Sequence, residues 1–371
     1  MANSTEVSIL HGFEFPTYCT DLEISLDNKT LLAVGGYKPC ISLFDLREHT
    51  QKLERHSDDE LIKGTFLGED WTKIALLHSS GKIEFQSQFG KHETVNLPQQ
   101  CRDIKADRIN ANILSAGKAG DVYVFSTEAG KFCPTIKTKV ESSEEIAINT
   151  TNTLYAVAGS TSENAGVCEF IDRRCNEMVN SLALDTSATS CTFSEDGLIF
   201  AVGTEGGLIS VYDMRSPVPL IEKDHNYDFR IKKVQIKNKN VISLDKKGVK
   251  VWERATGKVL AAVQPSFDAN SFAVSEGILF LGGTAAEMKT YYVPSLGSIP
   301  KWCSNLEGAT EEMDEMQKMT YYDQYRFITE EELVELNLQK EVGKQIKPHM
   351  HGYLIPHTLY NKHENKMEEK K

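Results

Sequence analysis

No pair of the eight cysteines stands in a CxxC arrangement, and their spacing builds no disulfide framework. Cys19, Cys40, Cys101, Cys133, Cys168, Cys175, Cys191 and Cys303 read instead as small core residues in a reducing compartment. The N-terminus, "MANSTEVSILHG", lacks the basic start and apolar stretch of a secretion signal. No run of about 18 apolar residues occurs, so no membrane-spanning helix is expected. There is no GxSxG, no HExxH and no EF-hand loop. A Gly-Lys pair does occur in "SAGKAGD", but Asn112 stands five positions before Gly117, so this is a hairpin turn and not a phosphate loop. Helical signals are nearly absent between residues 19 and 298. No cluster of His, Asp or Glu recurs at the inner-strand positions, which argues against catalysis, cofactor chemistry and a small-molecule substrate. The net charge of −12 gives no general attraction to nucleic acid.

What the chain does have is a period. Alternating apolar strands close on an aromatic or apolar residue in "CISLFD" at Phe44, "GKIEFQ" at Phe85 and "DVYVFS" at Phe125. The series continues in "VCEFID" at Ile171, "LISVYD" at Tyr212, "VKVWER" at Trp252 and "MKTYYV" at Tyr292. The spacings are 41, 40, 46, 41, 40 and 40 residues. A second apolar run precedes each closing strand, for example "LLAVGG", "KIALLH" and "IFAVGT", and most such runs end in Gly or Asp, as tight turns require. A third short strand comes before that. Seven units of this period predict a seven-bladed WD-type β-propeller over residues 19–298. Each sheet is too small to bury both of its faces alone, and radial stacking covers them. The longer fourth interval falls on "STSENAG", read as an extended hairpin loop.

Residues 299–371 break the repeat. "TEEELVEL" carries a capping box, Thr329 with Glu332, followed by Leu333, Val334 and Leu336, which predicts a short helix. "EGATEEMDEMQK" reads as a second helix, with Met313 and Met316 on one face. "IKPHMHGYLIPHTLYNK" reads as an extended docking strand. The tail is expected to have no core of its own and to pack on the propeller or on a partner. Its histidines, His349, His351, His357 and His363, fit no standard zinc spacing, so no metal is expected.

One segment departs from the acidic average. Lys223 to Lys258 holds eleven basic residues against four acidic ones, a net of +7. In "IKKVQIKNK" the lysines alternate with Val and Ile as on the outer face of a strand, giving Lys232, Lys233, Lys237 and Lys239 as candidates for RNA or an acidic partner. Edge protection is the competing reading.

Several stretches resemble the eukaryotic nucleolar WD-repeat family known as nucleolar protein ten. They are "GYKPCISLFD", "KDHNYDFRIKKV", "YYVPSLGSIPKWCSNLEGATEEMDE", "YDQYRFITEEELVELNLQKEVG" and "MHGYLIPHTLYNK". The resemblance runs in order along nearly the whole chain from "VSILHGFEFPTYCT". It implies a non-catalytic scaffold of the small-subunit processome, in the nucleolus of the nucleus. Small-subunit assembly factors, precursor ribosomal RNA and the U-three small nucleolar RNA particle would be its surroundings. Tyr37, Lys38, Pro39, Trp302, Tyr325, Arg326, Phe327, His351 and Gly352 sit on the family motifs and are the candidate partner-binding residues. The family pattern adds an N-terminal extension with a further strand and a long charged C-terminal region, so a shortened member is expected. Within residues 1–18, Val7 to Leu10 would then close the ring, or else the stretch "KWCSNL". The prolines Pro294 and Pro300 turn the chain out of the last blade, with Trp302 anchoring the exit. An adaptor of another class, such as a ubiquitin-ligase substrate receptor or a trafficking scaffold, is the alternative on the same fold.

Overall fold

The computed structural model describes residues 5–6, 18–161, 165–300, 302, 325–335, 346–349, 352–356 and 360. The chain divides into two compact units, Met1–Trp302 and Cys303–Lys371. The first is a ring of seven four-stranded antiparallel sheets. Blades one to six are meanders over residues 19–56, 61–96, 101–132, 142–184, 188–224 and 233–263. Within each, consecutive strands pair from the inner strand outward. No helix interrupts them, as the sequence period requires.

The closing residues Phe44, Phe85, Phe125, Ile171, Tyr212, Trp252 and Tyr292 all lie on the third strand of their blades. Second strands are buried almost throughout and third strands at half or more of their positions; Thr30–Gly35, for instance, is buried at every position. Their side chains meet between blades. Leu32, Val34, Ile41 and Leu43 of blade one pack on Leu61, Phe66, Ile74 and Leu76 of blade two. Similar apolar layers lie at the next five junctions. At roughly 25 cal/mol per Å² of apolar surface, these layers are the main stabilising contribution. Outer strands are mostly exposed; Glu177–Leu184 has no fully buried residue.

Blade seven is built from Ala269–Ser275, Ile278–Gly283 and Lys289–Tyr292, and its outer strand is the N-terminal Thr5–Glu6. Thr5 pairs with Tyr292 and Glu6 with Tyr291, antiparallel. The ring is therefore closed by an N-terminal strand, immediately upstream of the predicted Val7–Leu10, which lies outside the described residues. "KWCSNL" lies outside them too, except for Trp302.

Blade six has a buried polar lock. Asp245 Oδ2 is 3.0 Å from His225 Nδ1, and His225 Nε2 is 2.7 Å from Ser243 Oγ, to which Trp252 Nε1 donates at 3.3 Å. Trp252 is wholly buried. Burial alone would raise the Asp245 carboxyl, but the bonds from His225 and from the backbone amides of Gly248 and Lys247 outweigh it and hold its pKa below the ordinary value.

In the second unit, Tyr325–Ile328, Gly352–Pro356 and Lys347–His349 form a three-stranded antiparallel sheet with Gly352–Pro356 in the middle. The helix follows at Glu330–Glu335. Its capping box is formed both ways: Thr329 N donates to Glu332 Oε2 at 3.0 Å and Glu332 N to Thr329 Oγ1 at 3.4 Å. Two expectations are corrected here. The tail has a core of its own, in which Ile328, Leu333, Ile346 and Ile355 are buried together with Tyr353 and Tyr360 against them. The predicted docking strand is a hairpin whose second arm is paired on both sides within this unit. "EGATEEMDEMQK" falls outside the described residues.

Candidate interaction surfaces

In a four-stranded meander, successive turns lie at opposite ends of the strands. The turns from inner to second and from third to outer strand form one face of the ring, here the lower. The turns from second to third strand, and the links between blades, form the upper face.

Tyr37, Lys38 and Pro39 make the upper turn of blade one, between Thr30–Gly35 and Cys40–Asp45. Tyr37 is 64% exposed. Lys38 takes a left-handed φ of 47°, and the Ser57 amide donates to Pro39 O at 2.8 Å, tying the turn to the end of the outer strand. Gly36 is needed beneath it, because a Cβ there would stand 2.4 Å from the Tyr18 ring.

The exit from blade seven is a lower-face strap. Val293 N donates to Gly277 O at 2.9 Å, Gly277 N to Ser298 O at 3.2 Å, and Asn240 Nδ2 of blade six to Ser295 O at 2.6 Å. Leu296 is buried in the layer between blades six and seven, Pro294 is exposed and Pro300 is buried. Trp302 meets the ring of His49, in the lower turn of blade one, edge-on at 5.5 Å. The strap therefore touches blades six, seven and one, on either side of the closing strand. Tyr325, Arg326 and Phe327 pair in register with Pro356, Ile355 and Leu354, and Gly352 with His349. His351, His357 and His363 lie outside the described residues.

The four candidate lysines do not form one outward patch. Lys233–Lys237 is the inner strand of blade six, not an outer one. Strands that line a channel and strands that face solvent share the same alternation, so the pattern alone misplaced it. Lys232 Nζ donates to Ala269 O at 2.6 Å and Asn270 Oδ1 at 2.8 Å, and Lys237 Nζ to Glu276 O at 2.9 Å. Burial holds both ammonium groups below their usual pKa. Lys233 Nζ donates to Leu22 O and Ser271 Oγ at 3.0 Å and lies 3.3 Å from Asp21 Oδ1. Of the four, Lys239 alone is exposed, on the lower turn.

Lys233 belongs to a belt of polar contacts around the inner strands, which corrects the expectation that no acidic cluster recurs there. In six blades a register shift near the start of the inner strand is followed by Asp21, Lys63, Asp103, Glu145, Ser190 or Ser271. Ser271 Oγ donates to Asp21 at 2.8 Å. Lys63 pairs with Asp103 at 2.9 Å, and Asp103 accepts from Ile146 N at 2.7 Å. Ser190 Oγ donates to Glu145 at 2.5 Å and accepts from Val234 N at 3.0 Å, while Thr65 Oγ1 donates to Glu23 at 3.3 Å. With Lys233 bridging blades six, seven and one, every neighbouring pair is linked. The acids are matched by cations and amides, so they act on one another and brace the ring. Burial would lower the Lys63 pKa, but Asp103 and Glu145 raise it well above the usual lysine value.

Two further groupings bear on ligands. Cys40, Glu54 and His56 bring one donor atom each within 4.8 Å of one another. Burial, with the Glu54 charge behind it, pushes the Cys40 thiol up to about 11, so it keeps its proton at neutral pH. A polar pocket of about 260 Å³ beside it includes Arg55, Glu84, Gln86 and Lys91. Its buried carboxylate, Glu84, is already taken by Lys91 at 3.0 Å, Gln86 at 2.7 Å and His78 at 3.4 Å.

A braced ring with turns presented on two faces, followed in the chain by a small second unit, defines a WD-type propeller. Comparison with known proteins gives the family. Residues 1–317 match the N-terminal domain and residues 321–368 the second domain of nucleolar protein 10-like proteins. The chain belongs to the nucleolar protein 10 family. It is 35% identical over 96% of its length to the ribosome biogenesis protein ENP2 of Saccharomyces cerevisiae, and covers 52% of that protein. It is 33% identical to nucleolar protein 10 of Xenopus laevis and 32% identical to that of Homo sapiens, each over 96% of this chain and 54% of the relative. The chain thus spans about half the length of these relatives.

Proposed function

We propose that this protein is a non-catalytic scaffold of small ribosomal subunit biogenesis, a component of the small-subunit processome working in the nucleolus. The observation that carries the reading is the family match across both domains, to relatives named for ribosome biogenesis and for the nucleolus. The braced ring supports it, because blades tied to both neighbours by polar contacts can hold several partners at set spacings. Assembly factors dock on the Tyr37–Lys38–Pro39 turn, on the exit at Trp302 and on the second unit through Tyr325, Arg326, Phe327, His351 and Gly352. Precursor ribosomal RNA and the U-three particle are within reach of the assembly, directly or through those factors.

Depletion of the protein in its own cells tests this. Unprocessed precursor of small-subunit ribosomal RNA is expected to accumulate while large-subunit RNA matures normally. Equal maturation of both would overturn the proposal.

A further inference from the structure

With three of the four sequence-chosen lysines engaged in contacts with neighbouring blades, the cationic surplus of blade six lies elsewhere. The link from blade five to blade six, residues 225–232, and the upper turn of blade six, residues 246–248, meet on the upper face. Lys247 Nζ stands 4.7 Å from the centre of the Tyr227 ring and 5.3 Å from that of Phe229, and Lys250 Nζ stands 4.9 Å from Tyr227. Neither lysine has a carboxylate at ion-pair distance among the described residues; Lys250 donates to His225 O at 2.5 Å. Of the acids around these segments, Asp245 is taken by His225, Asp268 pairs with Lys246 at 3.2 Å, and Asp224 accepts the amide of Asn226 at 2.8 Å. Asp228 is exposed beside them. Towards the channel, Arg230 and Arg102 share the single carboxylate of Glu144. Burial and the neighbouring Arg230 charge hold the Arg102 pKa below its usual value.

We propose that this upper-face surface, centred on Tyr227, Lys247 and Lys250, docks single-stranded RNA. The proposal deepens the ribosome-assembly reading and rests on it for the choice of nucleic acid. Two ammonium groups on one exposed aromatic ring make a weak contact, because each remains partly hydrated. An arriving phosphate outcompetes the ring for the ammonium, since it offers a full negative charge and a direct hydrogen bond. The ring face this vacates is a stacking platform for the adjacent base, the pairing by which single strands are held without sequence readout. An acidic peptide could satisfy the lysines but would leave Tyr227 and Phe229 unused.

The test is fluorescence anisotropy of the purified chain with a labelled oligouridine over a series of salt concentrations. Lys247→Glu with Lys250→Glu is expected to weaken binding at least tenfold. It should also flatten the salt dependence by about 1.4, or about 0.7 for each phosphate no longer neutralised. Tyr227→Ala is expected to weaken binding with the salt slope kept. Lys239→Glu, at the opposite end of the same blade, is expected to change nothing. Lys247→Ala with Lys250→Ala, at an unchanged melting temperature, separates loss of charge from loss of fold. Equal binding by wild type and the charge-reversed pair overturns the proposal, as does tighter binding of a polyglutamate peptide than of RNA. Because this assay uses the isolated chain, such a failure would leave the effect of depletion on ribosomal RNA maturation untouched.

Discussion

Lys233 shows how a residue's place decides its meaning. On sequence it belongs to a solvent-facing basic stretch; in the ring it closes the polar belt between blades six, seven and one. Removing one partner of a buried pair typically costs about 3–5 kcal/mol, and the 22% exposure of this side chain moderates that. Lys233→Met is therefore expected to destabilise the propeller by about 2–4 kcal/mol, measured by denaturant unfolding. Asp21→Asn added to it should cost less than the two single changes together, because it removes the uncompensated charge. Acid gives a second check. Burial alone would raise the Asp21 carboxyl, but Lys233, Lys63 and Lys105 lower it below the ordinary value. A depressed carboxylate contributes stability above its unfolded pKa of about 3.9, and that contribution is lost as pH falls through the folded value. Melting temperature is thus expected to hold from neutral pH to about 4 and to drop below it. In Asp21→Asn the drop should be shallower, and an identical profile would contradict this electrostatic account. Asp245 acts in the same direction.

Among the elements, the closing strand is the most exposed to test. Thr5–Glu6 contributes two register pairs to Lys289–Tyr292, and deleting residues 1–6 leaves that edge unpaired. The truncated protein is expected to melt at lower temperature and to self-associate, read by calorimetry and light scattering; unchanged melting would mean the strand does not close the ring. In the second unit, Thr329→Ala removes one half of the capping box and is expected to cost about 1 kcal/mol locally. Faster hydrogen exchange at the Leu333 amide, which donates to Thr329 O at 3.0 Å, would report it. What was legible in the sequence follows from chemistry. Third strands end in Phe44, Phe85 or Trp252 and are packed on both faces, so they announced the period. Outer strands such as Thr50–His56 are almost wholly polar and exposed, so they carried no signal. The capping box was readable because it is local. The second core was not, because Ile328, Leu333, Ile346 and Ile355 follow no period and meet only through the hairpin. The polar lock of blade six was missed for the same reason: His225 and Trp252 are brought together by strands, not by sequence.

At the scale of the whole molecule, a braced seven-bladed ring of the nucleolar protein 10 family stands beside the proposed role of a platform in ribosome assembly. Eight cysteines fit that setting only in part. Cys19, Cys40, Cys101, Cys168 and Cys191 are buried, whereas Cys133 is half-buried, Cys175 is exposed in the lower turn of blade four, and Cys303 lies outside the described residues. The surfaces proposed for partners are the upper turn at Tyr37, the exit at Trp302, the basic-aromatic face of blade six and the small second unit. The most direct test of the central claim is affinity purification of the tagged native protein, with mass spectrometry and RNA sequencing of what accompanies it. Small-subunit assembly factors together with precursor ribosomal RNA and U-three RNA are the predicted result. Recovery as a free monomer, or with ubiquitin-ligase or membrane-coat subunits instead, would contradict it.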